Sequence, residues 1–202
     1  MMRRILRWSI TMRLFLASES PRRRELLRRV LAEFEVEGAS VQELDGSVQL
    51  PAKVLTARNA ALKADAVARK HPEDWVLGAD TVVVLDECIY GKPGNQAEAE
   101  MFLRKFSGRV HEVLTAVALR NLASGICWDA VAVSRVYFKV LSDEVIREYL
   151  RLVPVLDKAG AYGIQDHGEM LVERIEGELE NIIGLPVETV RTAFKKFGIV
   201  QQ

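Results

Sequence analysis

The sequence is poor in the residues that mark a disulfide scaffold or a metal centre. It contains two cysteines and three histidines in 202 residues. Cys88 and Cys127 lie in unlike contexts without a CxxC pattern, and the histidines lack the spacing typical of metal ligands. The cysteine content favours a reducing, cytoplasmic setting. We interpret His71, His111 and His167 as structural or surface residues.

Long apolar runs and an excess of charge of one sign are absent as well. Arg13 interrupts the apolar stretch near the N-terminus, and no segment approaches the roughly 20 apolar residues of a membrane-spanning helix. Lys and Arg number 28, as do Asp and Glu, so the formal net charge is zero. A neutral chain gives no general reason to bind nucleic acid or an anionic membrane, so we expect neither as a stable partner. Any site for a polyanion must be local.

The chain shows no internal repeat, low-complexity tract or linker that would separate independent domains. Hydrophobic residues make up 49% of it, which is enough for a packed core. We expect residues 1–11 to be an extension and residues 12–202 to form a single domain with two lobes. The pattern indicates an α/β fold with several antiparallel segments around a cleft.

Strand and helix signals alternate along the chain. An apolar run at 12–17 leads to Ser20 and Pro21, a helix cap followed by a proline in the first turn. A strand running into a loop is predicted at 34–44, and an alanine-rich helix at 51–70. The later predictions are a buried strand from residue 75, a tight turn at 86–87, a helix at 99–106 capped by Gly108, a hairpin at 121–125, a helix after Ser142, a strand at 170–175 and a helix after Pro186.

Asp80 is the most informative single residue. It places a carboxylate inside the apolar run VLGADTVVVL, where burial is costly unless a cation or hydrogen-bond donors accompany it. One interpretation is a strand-edge aspartate bound to backbone amides. The other is a metal ligand or a general base. The small neighbours Gly78 and Ala79 favour the second interpretation, because they would let a ligand approach the strand.

Three consecutive arginines, Arg22 to Arg24, stand at the predicted start of the first helix. Cations in a first helical turn oppose the helix dipole. Either they form a solvated basic face, or they receive a phosphate chain together with the exposed amides after Ser18 and Ser20. In the second case the dipole and the arginines act on one anion.

Four other polar residues are candidates for the same cleft. Lys92 in YGKPG either reaches the cleft or is solvated, and Lys63 lies on the alanine-rich helix. Glu43 is either a second carboxylate for a metal or a loop acid. Gln165 offers a donor and an acceptor suited to a base edge. Its glycine-rich segment AGAYGIQDHG matches neither the dinucleotide nor the P-loop fingerprint. The segment is either a loop whose backbone closely approaches another group or a turn between elements.

Six segments, taken in order, resemble the Maf family of nucleoside triphosphate pyrophosphatases: LASESPRRREL, GADTVVV, GKP, SGRVHEVLTAV, DKAGAYGIQ and GLP. The resemblance runs from about Met12 to the last helix. It implies an α/β fold with a long mixed β-sheet, flanking helices and two lobes around a cleft, related to the inosine triphosphate pyrophosphatases. It also implies hydrolysis of a nucleoside triphosphate to the monophosphate and pyrophosphate, with Mg²⁺ or Mn²⁺ as cofactor.

The resemblance also implies roles by motif position. Asp80 matches the proton acceptor. Arg22, Thr81 and Gln165 fall on positions that separate subfamilies and indicate the dTTP/UTP branch rather than the methylated-GTP branch. We expect Arg22 and Arg23 to contact phosphate and Arg24 to be solvated. The predicted substrate-binding set is Ser18, Arg22, Arg23, Glu43, Lys63, Thr81, Lys92 and Gln165.

Two other functions stay open at this point. One is a regulatory protein that senses a nucleotide and restrains septum formation without significant turnover. The other is a hydrolase for modified or non-standard nucleotides, including modified pyrimidines. The sequence also leaves open whether the chain forms a homodimer.

Overall fold

Seven strands form one mixed sheet in the computed structural model, which describes residues 13–200. The strands are β1 (Leu14–Leu16), β2 (Glu35–Val36), β3 (Trp75–Leu85), β4 (Cys88–Tyr90), β5 (Val110–Asn121), β6 (Ile126–Phe138) and β7 (Val172–Glu176). Their order is β2-β1-β3-β5-β6-β7, with β4 beside β3. β1 is parallel to β2 and β3, and the other pairs are antiparallel.

Within residues 13–200, six α-helices accompany the sheet. They are α1 (Pro21–Arg28), α2 (Ala52–Ala68), α3 (Gln96–Phe106), α4 (Asp143–Leu152), α5 (Leu179–Ile183) and α6 (Val187–Lys196). The arrangement confirms the predicted fold class. The extension at residues 1–11 and the start of the domain at residue 12 lie outside the described residues. No helix within 13–200 is long and apolar enough to cross a membrane.

Local signals fix several helix ends and turns where they were predicted. The Ser20 side chain caps α1 by accepting from the Arg23 backbone N–H, and Ser142 caps α4 in the same way. Gly108 takes a φ of +67° just after α3. The turn between β3 and β4 also requires positive φ, with 49° at Asp86 and 62° after it.

The segment at 34–44 is a strand that runs into a loop, as predicted, although the strand β2 contains only two residues. It pairs with the three-residue β1, and one further backbone bond joins Glu37 to Leu16. At Gly38 the chain passes so close to the Glu19 side chain that an added Cβ would lie 2.5 Å from Oε1. From there the segment leaves the sheet and becomes a loop beside α2.

The hydrophobic core divides along β3. Leu77 and Ala79 pack in a cluster with α1 and α6, whereas Val83 and Leu85 pack in a second cluster with α3 and α4. On the opposite face of β3, the alanines of α2 pack against Val76. The two main clusters lie at opposite ends of β3 and correspond to the two predicted lobes.

His111, which is buried, and His71, which is half-buried, make structural contacts, in agreement with their interpretation as structural or surface residues. His111 is 1% exposed, and its Nε2 lies 2.8 Å from the Tyr162 hydroxyl. The His71 ring stacks on Phe15, and its Nε2 lies 2.7 Å from a carboxylate oxygen of Glu37.

Candidate active site

The middle of β3 has a strand neighbour on one side only. β5 pairs with residues 76–84 along one edge. Along the other edge, β1 pairs with 75–77 and β4 pairs with 83–85. None of the described strands pairs with residues 78–82 on that side. The sheet therefore has a gap between β1 and β4, along one edge of the buried strand β3.

A cavity of about 850 Å³ opens at this gap. Its volume lies within the range of about 300–1,000 Å³ that is typical of small-molecule sites. All of the residues predicted from the sequence line it: Ser18, Arg22, Arg23, Glu43, Lys63, Asp80, Thr81, Lys92 and Gln165. They come from α1, α2, β3 and four connecting segments, so the tertiary structure joins distant parts of the sequence.

Asp80 is 5% exposed and is paired with side chains of α2. Its Oδ1 accepts a hydrogen bond of 2.8 Å from Lys63 Nζ, and its Oδ2 accepts one of 3.3 Å from Asn59. Lys63 Nζ also donates to Glu43 Oε2 at 2.7 Å. The ammonium group offsets the cost of burying the Asp80 carboxylate, and it is shared between two acids. This arrangement differs from the alternative of a strand-edge aspartate held by backbone amides.

Helix geometry and one glycine bring these groups together. Asn59 and Lys63 are four residues apart on α2, so both point to the same side of the helix. At Gly78 an added Cβ would lie 2.4 Å from the Ala60 carbonyl oxygen and 2.8 Å from Ala64 N. The interpretation that Gly78 makes room for a ligand is therefore wrong, because the backbone of α2 occupies that space. The close approach lets α2 reach Asp80, two residues further along β3.

Thr81 faces the opposite side of the sheet, since successive side chains of a strand alternate. Its Oγ1 accepts from Arg23 Nη2 at 3.0 Å and lies 3.0 Å from Thr115 Oγ1. Thr115 uses its single hydroxyl proton to donate to the Asn181 carbonyl oxygen at 2.8 Å. Thr81 must then donate to Thr115. Its hydroxyl can accept a further bond but has no proton left to offer a substrate.

Arg23 is held within the protein by several acceptors. Its Nε donates to the Gly184 carbonyl at 2.9 Å, and Nη1 donates to Ser18 Oγ at 3.3 Å. Burial lowers the pKa of the Arg23 guanidinium from its ordinary value, yet an arginine stays charged at neutral pH. Arg23 therefore joins α1, β3 and the GLP turn, and presents a fixed positive charge at the cavity wall.

The amides at the start of α1 are partly engaged by their own segment. Ser18 Oγ accepts from Ser20 N at 3.3 Å, and Ser20 Oγ accepts from Arg23 N at 3.4 Å. These two amides are thus not the open anion-binding groups that the sequence suggested. The positive end of the helix and Arg22 remain at the cavity. Arg24 is exposed, as predicted.

Arg22 is paired with an acid on the opposite wall. Its Nη1 donates to Asp157 Oδ2 at 3.0 Å, while Lys158 Nζ donates to Asp157 Oδ1 at 2.8 Å. Burial tends to raise the pKa of Asp157, but the hydrogen bonds and charges of Lys158 and Arg22 hold it below its ordinary value. A phosphate entering the cavity competes with this carboxylate for Arg22.

The remaining wall comes from the loops that carry Lys92 and Gln165. Both side chains are exposed and line the cavity. Gly160 N donates to the Gly91 carbonyl at 3.0 Å, which fixes the two loops side by side. Gly160 has a φ of +69°, and an added Cβ would lie 2.8 Å from Val83. The close approach predicted for this glycine-rich loop is thus an approach to β3.

A divalent cation finds few ligands here. Within the part of the chain that the structure describes, no cluster of three His, Cys, Asp or Glu side chains can hold a metal. Asp80 and Glu43 both contact Lys63 Nζ, so the two carboxylates lie near one another. Mg²⁺ commonly uses one or two carboxylates and takes its other ligands from water and substrate phosphates. The residues fit a cation that arrives with a nucleotide.

Sequence reasoning missed three residues that line the cavity, Asn59, Asp157 and Lys158. It also missed Thr115 and Asn181, two buried residues that are hydrogen-bonded behind Thr81. A signal existed for Asn59, since a polar residue one turn before Lys63 on an alanine-rich helix shares its face. Asp157 and Lys158 stand in the DKAGAYGIQ segment itself. Thr115 stands in the SGRVHEVLTAV segment, whereas Asn181 lies outside the six segments. Both contribute through hydrogen bonds between distant strands and helices.

The fold is shared with solved structures of low sequence identity. A HAM1 protein from Coxiella burnetii aligns with a TM-score of 0.52 and 14% identity, covering 92% of this chain and 99% of that one. The Ham1 protein of Staphylococcus aureus aligns with a TM-score of 0.53 and 14% identity, with the same coverage. These two likenesses place the chain in a Ham1-like α/β fold class.

The sequence comparison identifies the family. The model of the family described as "Maf-like protein" matches residues 13–197, so the chain belongs to that family. A dTTP/UTP pyrophosphatase of Akkermansia muciniphila is 43% identical over 91% of this chain and 95% of its own length. Proteins of the same name from Clostridioides difficile and Koribacter versatilis are 42% and 41% identical, covering 92% and 97% of this chain and 95% and 100% of their own lengths.

Proposed function

We propose that the protein hydrolyses dTTP and UTP between the α and β phosphates, releasing the nucleoside monophosphate and pyrophosphate. The observation that carries the proposal is the pairing of buried Asp80 with Lys63 at an opening of the sheet that also presents Arg22 and Arg23. The names of the relatives point to the same reaction.

In this proposal Asp80 is the general base. A carboxylate in a largely buried position can accept the proton of a water molecule that attacks the α phosphorus. Lys63 and Asn59 hold its two oxygens in place. General-base catalysis of this kind typically contributes about 10²–10⁴-fold to the rate.

The cations stabilise the charge that develops on the pyrophosphate leaving group. Arg22, Arg23 and Lys92 line the cavity from two walls, so a triphosphate can lie between them. Arg22 has to leave Asp157 to bind phosphate, whereas Arg23 keeps its internal bonds and acts through its charge. Ser18 is available near the first turn of α1 as a further contact.

Of the two carboxylates beside Lys63, Glu43 rather than Asp80 would hold a divalent cation bound to the nucleotide. Such a cation supplies charge neutralisation at the phosphates. Glu43 is the more accessible of the two, with a side-chain exposure of 48% against 7% for Asp80. We assign Glu43 to the cation and Asp80 to the water.

Base recognition falls to Gln165 and Thr81. The Gln165 carboxamide can accept from a pyrimidine N–H and donate to a neighbouring carbonyl oxygen, as uracil and thymine require. Thr81 can only accept, because its proton is engaged by Thr115. A buried polar group left unpaired by the wrong base costs about 1–3 kcal/mol, which is enough for useful discrimination.

The test is pyrophosphate release by the purified chain. Candidate substrates are dTTP, UTP, CTP, methylated GTP and modified pyrimidine triphosphates, each with Mg²⁺, with Mn²⁺ and with chelator. We expect the fastest release from dTTP and UTP, and none after chelation. Preference for methylated GTP would contradict the base assignment, and orthophosphate instead of pyrophosphate would contradict the bond assignment.

Nucleotide binding without any pyrophosphate release would favour the regulatory alternative. The cytoplasmic setting stays a prediction that agrees with the free, exposed thiols of Cys88 and Cys127. The homodimer also stays a prediction, which light scattering can test.

A further inference from the structure

Asn59 is a buried polar residue that no motif of the sequence singled out. It is 2% exposed, lines the cavity and lies one helical turn from Lys63. Its carboxamide makes three hydrogen bonds to two parts of the site. A buried amide with this many partners is costly to replace, because each lost partner leaves a polar group unpaired.

Two of the bonds anchor the loop that carries Glu43. Leu44 N donates to Asn59 Oδ1 at 2.8 Å, and Asn59 Nδ2 donates to the Leu44 carbonyl at 2.9 Å. The carboxamide thus pairs with Leu44 as a neighbouring strand would. Because Leu44 is next to Glu43, this pairing sets the position from which Glu43 reaches Lys63.

The third bond reaches the proposed base. Asn59 Nδ2 donates to Asp80 Oδ2 at 3.3 Å, while Lys63 holds Asp80 Oδ1 at 2.8 Å. With a donor on each oxygen, the carboxylate has one orientation instead of a choice of rotamers. The Asn59 side chain therefore contacts both Asp80 and Leu44, the residue next to Glu43.

We propose that Asn59 is a positioning residue for the reaction, which couples the orientation of Asp80 to the placement of the Glu43 loop. Asn59 does not exchange a proton with the substrate and acts through these two acids. The inference rests on the proposed function, since it assigns Asp80 and Glu43 their roles in that reaction. An error of about 1 Å in a reacting group can cost on the order of 10²-fold in rate.

The test compares Asn59→Leu with the unchanged chain in steady-state pyrophosphate release. Leucine has a similar size but offers no hydrogen bond. We expect kcat to fall by about ten- to a hundredfold while KM changes by less than about threefold, because the cations at the phosphates are untouched. A purely structural role would lower the melting temperature and leave kcat per folded molecule unchanged.

Thr56→Val is the matched control. Thr56 is 0% exposed, lies one turn before Asn59 on the same helix, and donates only to the Ala52 carbonyl at 2.7 Å. It does not line the cavity. This variant removes a buried side-chain hydrogen bond from α2 without touching either acid, so we expect a small loss of melting temperature and an unchanged kcat.

Asn59→Asp keeps the test decisive if the leucine variant fails to fold. Aspartate keeps the shape and the acceptor for Leu44 N–H but replaces both donated bonds with contacts between a carboxylate and oxygen atoms. We expect the melting temperature to fall, because two carboxylates then lie side by side, and kcat at least tenfold, while one cooperative melting transition and the binding of a non-hydrolysable α,β-methylene nucleotide are retained. These two measurements show that the variant is folded.

The possible failures are distinct. If the unchanged chain releases pyrophosphate and a folded Asn59 variant keeps its kcat, the positioning role is overturned and the proposed function stands. If a folded variant loses affinity for the methylene nucleotide with kcat unchanged, Asn59 acts in binding and the inference is also overturned. If the unchanged chain releases no pyrophosphate, both the proposed function and the inference are overturned.

Discussion

Asp80 on β3 and His111 on β5 are both buried titratable residues, but their surroundings differ in kind. Asp80 has a lysine on one oxygen and an amide on the other, and it lines an open cavity. His111 stacks on Phe106 with ring centroids 4.6 Å apart and bonds to Tyr162. Desolvation lowers the pKa of His111 to about 3, so its ring is neutral.

The contrast separates two uses of a buried polar group. A charged group is retained beside the cavity because its partners are built around it and a substrate can reach it. A neutral group is tolerated in the core because one hydrogen bond and aromatic packing suffice, although His111 Nδ1 remains unpaired among the described residues. Burial alone therefore does not point to function, whereas burial with an opposite charge beside a cavity makes Asp80 a candidate functional residue.

The largest expected effect is on the rate after Asp80→Asn. This change should lower kcat by about 10²–10⁴-fold while nucleotide binding is largely kept, because the substitution removes the proton acceptor but not the cations. His111→Gln should leave kcat within about twofold, because His111 does not itself line the cavity and contacts none of the proposed site residues. The measurement is kcat for steady-state pyrophosphate release by the two variants and the unchanged chain. A wild-type rate for Asp80→Asn would refute the role of Asp80 as the base.

Lys63→Met should destabilise the fold. Removing one partner of a buried ion pair leaves an uncompensated charge, so we expect the free energy of unfolding to drop by about 3 kcal/mol in urea denaturation at neutral pH. The matched control is Lys92→Met, because Lys92 is exposed and its loss should change the free energy of unfolding by no more than about 0.5 kcal/mol. Equal effects of the two substitutions would show that the Lys63 pair is energetically unimportant.

His111 should make the fold sensitive to acid. The unfolded chain takes up a proton near pH 6.5, whereas the folded ring stays neutral down to about pH 3. The unfolded state therefore binds more protons in this window, and stability falls as the pH is lowered. The expected loss between pH 8 and pH 5 is about 2 kcal/mol from this residue. Urea titrations should show that His111→Gln removes this part of the dependence.

The smallest effect is expected at the cavity wall. Asp157→Asn should lower KM by about two- to fivefold, because a neutral amide competes less with phosphate for Arg22, while the partly exposed ion pair contributes little to stability. The measurement is KM for dTTP at low salt. The difference should shrink at high salt, where screening weakens the ion pair. An increased KM would indicate that Asp157 assists binding.

Much of the site was predictable because its residues stand in local patterns. The cap before α1, the carboxylate inside the apolar run of β3 and the lysine on α2 are each visible within a few residues of sequence. The hydrogen-bond partners of these residues were harder to predict from the sequence. The direction of Thr81, opposite to Asp80, follows from strand alternation. The hydrogen bond that engages the Thr81 hydroxyl proton is made to Thr115, on a strand far away in sequence.

The meaning of Gly78 was misjudged for the same reason. A glycine beside a candidate acid suggests room for a ligand, and only the packing of α2 shows that a helix backbone fills that room. The segment at 34–44 was predicted to begin as a strand and to become a loop, and only the structure shows where the strand ends, since its neighbour β1 has three residues. Local propensity proposes an element, and the neighbours available in space decide its extent.

The sequence by itself determined the element order, the α/β class and the residue types of the site, because periodicity, caps and turn residues act over short distances. Only the tertiary structure decided that the sheet divides beside residues 78–82 and that Thr115 engages the Thr81 hydroxyl there. It also decided that Asn59 joins the two acids. The physical reason is that hydrogen bonds and charge pairs between distant segments require every partner to be in place at once.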